Sequence, residues 1–399
     1  MSASTIAAAR TGVSARTGAW AGIAFGVLAA YVALPPLMIR TSLVSLLLAA
    51  LGVLAGLYAV REGTRRLGWI AVAISVLGGI LAVMAVNSGE SNLDRVFVWS
   101  ALTAGMLRFA TPLIFAAMGG ILSERSGVIN IGLEGMMLIG AFFGIFGADL
   151  LGSWFLGLLC GVVAGAVIGL VHAFVSITLR ADQVVSGTGI NFLAVGITGY
   201  VFIYHYGDQG TPSDISRAPN VSLPGIEDIG FIGEAIGKLN LLTWVALLIV
   251  PLLTLFLFRT RGGLRLRSVG EKPRAADSLG LPVLRTRYLA VVASGALAAA
   301  GGAYLSIALV GSFNEQMTAG RGFIALAAVI FGGWRPWGAL AGACLFGFST
   351  ALAQRLPAFS ESTAVLFQAL PYVLTLVVVA GVIGRSRPPA AIGVPYVKE

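Results

Sequence analysis

The sequence predicts an all-α, polytopic membrane protein. Of its 399 residues, 57% are hydrophobic and only 11% are charged, and the mean hydropathy is +0.92. A water-soluble domain of this length needs a more charged surface, so the composition indicates that lipid surrounds much of the chain. The net charge of +9 comes from short basic clusters between apolar runs. That arrangement is typical of membrane topology and gives no support to nucleic-acid binding.

Apolar runs of about twenty residues can cross the hydrocarbon core as helices, and we count about twelve of them. The continuous runs are Trp20–Ile39, Leu43–Val60, Leu67–Val86, Trp154–Ile177, Leu241–Phe258, Tyr288–Val310 and Ala364–Gly384. The runs that are short or carry polar interruptions are Phe97–Leu122, Ile131–Leu150, Val184–Tyr206, Gly322–Trp334 and Trp337–Leu356.

The first two runs contain no charged residue in their interiors, and a basic loop separates them from the rest. We therefore predict three parts along the chain. Residues 1–66 hold an amino-terminal tail and two additional helices, and residues 385–399 form a carboxy-terminal tail. Residues 67–384 form a membrane core of about ten helices, some of them broken or re-entrant.

Orientation follows from the connections, because Lys and Arg flanks stay in the cytoplasm. The basic connections fall on one side of the predicted topology, and they contain Arg10, Arg16, Arg61, Arg65, Arg66, Arg125, Arg180, the loop 259–287, Arg385 and Arg387. Arg40 is the exception. The acidic connection Gly207–Asn240 and the connection 87–94 fall on the other side. This pattern predicts that both termini are cytoplasmic.

A polar stretch, SERSGVINIGLEGMM, interrupts two apolar runs at Ser123–Met137. Its charged and amide side chains include Asn130 and Glu134, which are costly at membrane depth unless they face protein or water. Its glycines permit a broken helix, and such a break is tolerated where it lines a cavity or is buried in protein. We interpret the stretch as a discontinuous element beside a transport route. An ordinary cytoplasmic turn at Ser123–Gly127, followed by a normal helix, is the alternative.

A second polar stretch, DQVVSGTGIN, opens a later run at Asp182–Asn191. The neutral donors and acceptors of Ser186, Thr188 and Asn191 suit contact with a polar, uncharged solute. They suit hydrogen bonds between neighbouring helices equally well.

The loop 259–287 carries eight basic residues. Within it, a helix-compatible segment Glu271–Leu279 lies between Gly270 and Gly280. A short cytoplasmic helix of this kind is a candidate docking surface for a partner. A basic anchor with nothing bound to it is the alternative.

The residues give no support to catalysis or to nucleotide binding by this chain. The pair Gly237-Lys238 is followed by leucine, so the spacing of a phosphate-binding loop is absent. The two histidines, His172 and His205, lack acidic or cysteine neighbours at ligand spacing, and His172 is expected to be a hydrogen-bonded interior residue. Cys160 and Cys344 lie inside apolar runs and are expected to be buried thiols without a metal or disulfide role.

The segment Thr111–Gly144, TPLIFAAMGGILSERSGVINIGLEGMMLIGAFFG, resembles permease subunits of bacterial ATP-binding-cassette importers. Their group transports branched-chain amino acids, ribose and nucleosides, and the nucleoside (guanosine-type) uptake permeases are the most similar. VGEKPRAADSLGL at Val269–Leu281 is similar to the family's cytoplasmic coupling segment, and the tail Pro388–Glu399 also agrees. The resemblance extends from Leu67 to the end, so the two leading helices depart from the minimal family pattern.

This resemblance implies a transport subunit, not an enzyme, in the bacterial cytoplasmic membrane. It implies a separate ATPase subunit that binds ATP and Mg. It also implies a second permease subunit, which is expected to be a paralogue in a heterodimer, and an extracytoplasmic substrate-binding lipoprotein. The residues implied to couple with the ATPase are Gly270, Glu271, Pro273, Ala275, Ala276 and Gly280. The residues expected to face the translocation pathway are Asn130, Glu134, Ser186, Thr188 and Asn191.

Two other hypotheses remain open at this point. An ion-coupled secondary transporter would use broken helices and an intramembrane carboxylate such as Glu134 to bind solute and proton directly. A permease of the same family for simple sugars or branched-chain amino acids would share the fold and differ in substrate.

Overall fold

The computed structural model describes residues 14–33, 42–87, 98–355 and 387–397. The first seven helices are α1 (Ala15–Ala33), α2 (Ser42–Arg61), α3 (Arg65–Asn87), α4 (Trp99–Arg125), α5 (Leu133–Leu151), α6 (Trp154–Ala173) and α7 (Gln183–Tyr206). The remaining helices are α8 (Leu241–Arg259), α9 (Arg261–Glu271), α10 (Pro273–Ser278), α11 (Val283–Tyr304), α12 (Arg321–Phe331) and α13 (Pro336–Arg355).

The all-α, multi-pass class is confirmed. Within the described ranges, nine helices are long and apolar enough to cross a membrane, and two shorter apolar helices accompany them at Leu67–Ile80 and Arg321–Phe331. Each apolar run predicted inside those ranges overlaps a helix, although Gly322–Trp334 extends past the end of α12 and Ile131–Leu150 begins before α5. The predicted run Ala364–Gly384 lies outside the described residues, as do the ends of both predicted tails. So does the predicted outer connection 87–94 apart from Asn87, which ends α3.

The chain divides by its contacts into two compact units. One unit comprises Met1–Trp99 and Leu352–Gly384, and the other comprises Ser100–Ala351 and Arg385–Glu399. Helix α3 therefore groups with α1 and α2, whereas the sequence analysis had placed it in the core. The predicted division at residue 66 stays a prediction of domain organisation.

In the first unit, α1, α2 and α3 pack against one another along small residues. A Cβ atom added at Gly22 would lie 2.9 Å from the Gly52 carbonyl oxygen, so the backbones of α1 and α2 are nearly in contact. The Ser75 hydroxyl donates to the Gly22 carbonyl oxygen at 3.1 Å and so ties α3 to α1. Lipid tails are as apolar as the helices, so the hydrophobic effect does not drive helices together in lipid. Close packing of small residues stabilises their association instead.

In the second unit, α4, α5 and α11 form the interior. Between 72% and 78% of their spanning stretches is buried, against 22–28% for α6 and α7. The exposed side chains of α6 and α7 are largely apolar, for example Phe155, Val163 and Phe192, as expected for helices that face lipid. Helix α11 packs closely on α5 and α6.

Several helices end irregularly. Helix α6 continues into a π-helical turn at Phe174–Thr178, and α11 continues into one at Leu305–Val310. The long connection between α7 and α8 contains an antiparallel hairpin of β1 (Asn220–Ser222) and β2 (Lys238–Asn240), with Val221 opposite Leu239. The sequence analysis did not predict this hairpin, because three-residue strands leave almost no alternating pattern.

Candidate functional site

The chain between α4 and α5 is a buried interruption at residues 126–132. The backbone turns at Gly127, where φ is 93°, a conformation that favours glycine. The Ser123 hydroxyl then donates to the Val128 carbonyl oxygen at 2.7 Å. This interruption, the break, extends beyond the turn at Ser123–Gly127 that was the alternative, and the helix that follows it, α5, is regular, as that alternative expected. Its position beside a transport route stays a prediction.

Side chains of α6 and α7 form hydrogen bonds with both polar backbone groups of Ile129, which lies in the break. The Ile129 amide donates to Oε1 of Gln183 at 2.7 Å, and Nε2 of His172 donates to the Ile129 carbonyl oxygen at 3.0 Å. Because a carbonyl can only accept, Nε2 carries a proton, and in the neutral ring Nδ1 accepts from the Ser186 hydroxyl at 3.0 Å. His172 is fully buried, so the prediction of a hydrogen-bonded interior histidine is confirmed.

Asn130 lies inside the break and is fully buried. Its Nδ2 donates to the Ser294 hydroxyl of α11 at 2.9 Å. Within the described part of the chain, its Oδ1 has no hydrogen-bond partner, and neither has Nε2 of the buried Gln183. Buried polar atoms are nearly always paired, so each of these two buried atoms is a candidate partner for an enclosed water molecule.

Glu134, in the first turn of α5, holds the start of α12. Its Oε1 accepts from the Gly320 amide at 2.8 Å, and its Oε2 accepts from the Gly322 amide at 2.6 Å. A carboxylate is favourable there because the first amides of a helix lack partners within the helix and carry partial positive charge. The structure therefore gives Glu134 a defined role as a cap between two helices.

Asn191 of α7 binds the backbone on both sides of the α5 start. Its Oδ1 accepts from the Gly135 amide at 2.8 Å, and its Nδ2 donates to the Ile131 carbonyl oxygen at 3.2 Å. These are the interhelical hydrogen bonds that the sequence analysis kept as the alternative to solute contact.

The other two predicted pathway residues differ from each other. Ser186 reaches the break through its hydrogen bond to His172. Thr188 is exposed, and its hydroxyl donates to the Val184 carbonyl oxygen of its own helix at 2.9 Å. Asn130, Glu134 and Asn191 therefore lie in the break or at the start of α5, and Ser186 reaches the break through His172. The hydrogen bond of the Thr188 hydroxyl stays within α7.

The predicted coupling segment is two helices. The sequence predicted one helix at Glu271–Leu279, bounded by glycines. The predicted start of that helix was wrong. Helix α9 continues through Gly270 to Glu271, and α10 begins at Pro273. The ring of Pro273 fixes its φ and removes an amide, which suits the first position of a new helix and ends the previous one. At the other end, the chain leaves α10 at Gly280 with φ of 76°.

The coupling residues also pack tightly on the rest of the unit. Gly270 lies against the backbone of Arg125, where α4 ends, so closely that a Cβ atom would meet the Arg125 carbonyl oxygen. Ala276 is buried in a small apolar cluster with Val269, Val283 and Tyr396. Pro273 is half-buried and Ala275 is exposed. The segment thus has a fixed inner face and an accessible outer face.

Sequence reasoning missed two residues that build this site. Gln183 was inside the quoted stretch Asp182–Asn191 but was not singled out, although an amide among apolar residues is a detectable signal. Ser294 is one hydroxyl in a long apolar run, and nothing in the sequence marks it. Among the described residues, no group of three His, Cys, Asp or Glu side chains is placed to hold a metal ion.

The family of permease components of the branched-chain amino acid transport system matches residues 102–379. The chain belongs to this family. The match begins within α4, so α1–α3 of the permease lie outside it.

Two curated relatives are similar over almost their entire length. The guanosine ABC transporter permease NupQ of Bacillus subtilis is 41% identical over 76% of this permease and 99% of NupQ. The nucleoside ABC transporter permease NupC of Lactococcus lactis is 40% identical over 75% of this permease and 97% of NupC.

The putative glucose ABC transporter permease TsgC13 of Haloferax volcanii is 38% identical over 65% of this permease and 80% of TsgC13.

A second permease of Bacillus subtilis also matches, more distantly. The guanosine ABC transporter permease NupP is 26% identical over 59% of this chain and 67% of NupP. No solved structure matches this chain.

Proposed function

We propose that this permease is a membrane-spanning subunit of an ATP-binding-cassette importer that takes up nucleosides. The observation that carries the proposal is the near-complete match to a guanosine permease and a nucleoside permease, over 99% and 97% of their lengths. Fold alone would leave the function open, since one fold hosts many functions. Identity near 40% over three quarters of this chain and almost all of each relative is a much narrower likeness.

The proposed importer contains three further components. An ATPase subunit, which binds ATP and Mg, docks on the cytoplasmic segment Gly270–Gly280. A paralogous permease completes the translocation pathway, and the occurrence of NupQ and NupP in one organism supports such pairing. A substrate-binding lipoprotein delivers the nucleoside outside the bacterial plasma membrane, and both termini of this permease lie in the cytoplasm.

The contact between Gly270 and Arg125 supports a direct route for coupling. Because the two backbones touch, a displacement of α9 and α10 by the ATPase is passed to the end of α4 and from there to the break at residues 126–132. We propose that this displacement alternates access to the pathway between the two sides of the membrane.

The polar atoms around the break suit an uncharged, hydrogen-bonding solute. We propose that the unpaired acceptor of Asn130 and the unpaired donor of Gln183, both buried here, become exposed to the hydroxyl groups and ring atoms of a nucleoside during the transport cycle. Under this proposal Asn130, Glu134, Ser186, Thr188 and Asn191 face the route during the transport cycle.

The hydrogen bonds of Glu134 argue against the hypothesis of an ion-coupled transporter. Both of its oxygens already accept amide hydrogens from the start of α12. Protonation during each transport cycle would remove the charge that caps this helix, so we favour ATP as the energy source.

Competition for uptake tests the substrate class. Cells that express the complete importer should accumulate labelled guanosine, and excess adenosine or cytidine should suppress this accumulation. Glucose and leucine should have no effect. Suppression by glucose with no suppression by other nucleosides would instead make this permease a sugar transporter like the one that the name TsgC13 describes.

A further inference from the structure

The carboxy-terminal segment 387–397 is fixed to the coupling segment and to the helix break. The Ala391 amide donates to the Gly270 carbonyl oxygen at 2.9 Å, and the Gly393 amide donates to the Gly127 carbonyl oxygen at 3.1 Å. These bonds join α9, the break and the tail through their backbones.

Side chains strengthen the attachment at both ends of the tail. The Ala390 amide donates to Oε2 of Glu271 at 3.2 Å. The buried Arg287 of α11 donates from Nη1 to the Val394 carbonyl oxygen at 3.0 Å. Beyond Val394, Tyr396 is buried in the same apolar cluster as Ala276 of α10. The tail is therefore a built part of the second unit.

A groove with a volume of about 500 Å³ lies between the tail and the start of α10. Its walls are mainly apolar, and two basic residues, Lys272 and Arg274, line it as well. Two of the tail's aliphatic side chains in this groove, Val394 and Val397, are 52% and 47% exposed. An apolar groove with basic residues at its edge fits an apolar protein side chain flanked by acidic residues.

We propose that the tail 387–397 and α10 together form the receptor surface for the ATPase subunit. This inference rests on the proposed function, because it requires an ATPase that docks on this segment. The groove shares Pro273 and Ala275 with the predicted coupling residues, so an ATPase seated there would cover the exposed valines at the same time. The hydrogen-bonded tail is preformed, which reduces the ordering cost of binding.

The test compares two aspartate variants of this permease, each paired with its partner permease in phosphatidylcholine nanodiscs, to which the purified ATPase is added. V394D/V397D places two negative charges in the groove, whereas I229D places one on an equally exposed aliphatic side chain in the loop between β1 and β2. We expect V394D/V397D to weaken binding of the purified ATPase at least about tenfold and I229D to leave the Kd unchanged, a difference of about 1.4 kcal/mol. An unchanged Kd for V394D/V397D would overturn the inference.

Photocrosslinking from position 397 gives an independent readout. A benzophenone amino acid at Val397 should crosslink to the ATPase subunit. Crosslinks only to phospholipid, or only to a second permease chain, would overturn the inference. Failure of the wild-type permease to bind any ATPase would instead contradict the proposed function itself, so the two failures are distinguishable.

Discussion

At the scale of single residues, three polar side chains around the break form hydrogen bonds with backbone groups of neighbouring elements. Glu134 binds two amides, Asn191 binds an amide and a carbonyl, and His172 binds a carbonyl. A polar group buried without a partner costs free energy comparable to a lost hydrogen bond. These contacts explain why the break at residues 126–132 has a defined structure.

Removal of the Glu134 carboxylate should destabilise the permease. E134A leaves the Gly320 and Gly322 amides without their acceptors, so we expect the free energy of unfolding in mixed micelles to fall by about 1–2 kcal/mol. E134Q retains an acceptor and should lose less. T188A, which removes a hydroxyl bound only within its own helix, is the control and should change the free energy by less than about 0.5 kcal/mol. Equal stability of E134A and wild type would show that the cap contributes nothing.

At the scale of elements, small residues determine how closely the interior helices approach. A Cβ atom at Gly295 of α11 would lie 3.0 Å from the Gly169 Cα atom of α6. Real Cβ atoms rarely come so close to a backbone, so this crossing depends on glycine in both helices.

A matched pair of glycine substitutions tests that dependence. G295A should lower the free energy of unfolding by about 1–3 kcal/mol because the α6–α11 crossing must open. G196A lies in the middle of α7 with nothing within 4 Å of its added Cβ, and it should be neutral or stabilising by up to about 1 kcal/mol. The same unfolding assay serves both variants. Similar effects of the two substitutions would mean that close packing does not limit stability at this crossing.

The sequence predicted the helices well and their tertiary contacts poorly. Apolar runs located the spanning helices because the hydrocarbon core requires a long, continuous apolar segment. The glycines and polar residues of Ser123–Met137 predicted the break. The pairing of Gln183 with Ile129 and of the Gly393 amide with the Gly127 carbonyl was not predictable, because no local pattern encodes contacts between distant residues.

At the scale of the whole molecule, the described structure connects the predicted coupling segment to the buried break. Contacts run from the groove beside α10, through Gly270, to the end of α4. The tail contacts the same region. Helices α1–α3 lie outside the family match at 102–379. Gly270, the end of α4, the break and the tail all lie in the second unit.

The energy source for uptake tests this account most directly. Proteoliposomes should contain this permease with its partner permease and ATPase, and the binding protein should be added outside. Labelled guanosine should accumulate only when ATP and Mg are enclosed with the ATPase, and a protonophore should leave the initial rate unchanged. Accumulation without ATP that collapses on addition of the protonophore would contradict the account and identify an ion-coupled transporter.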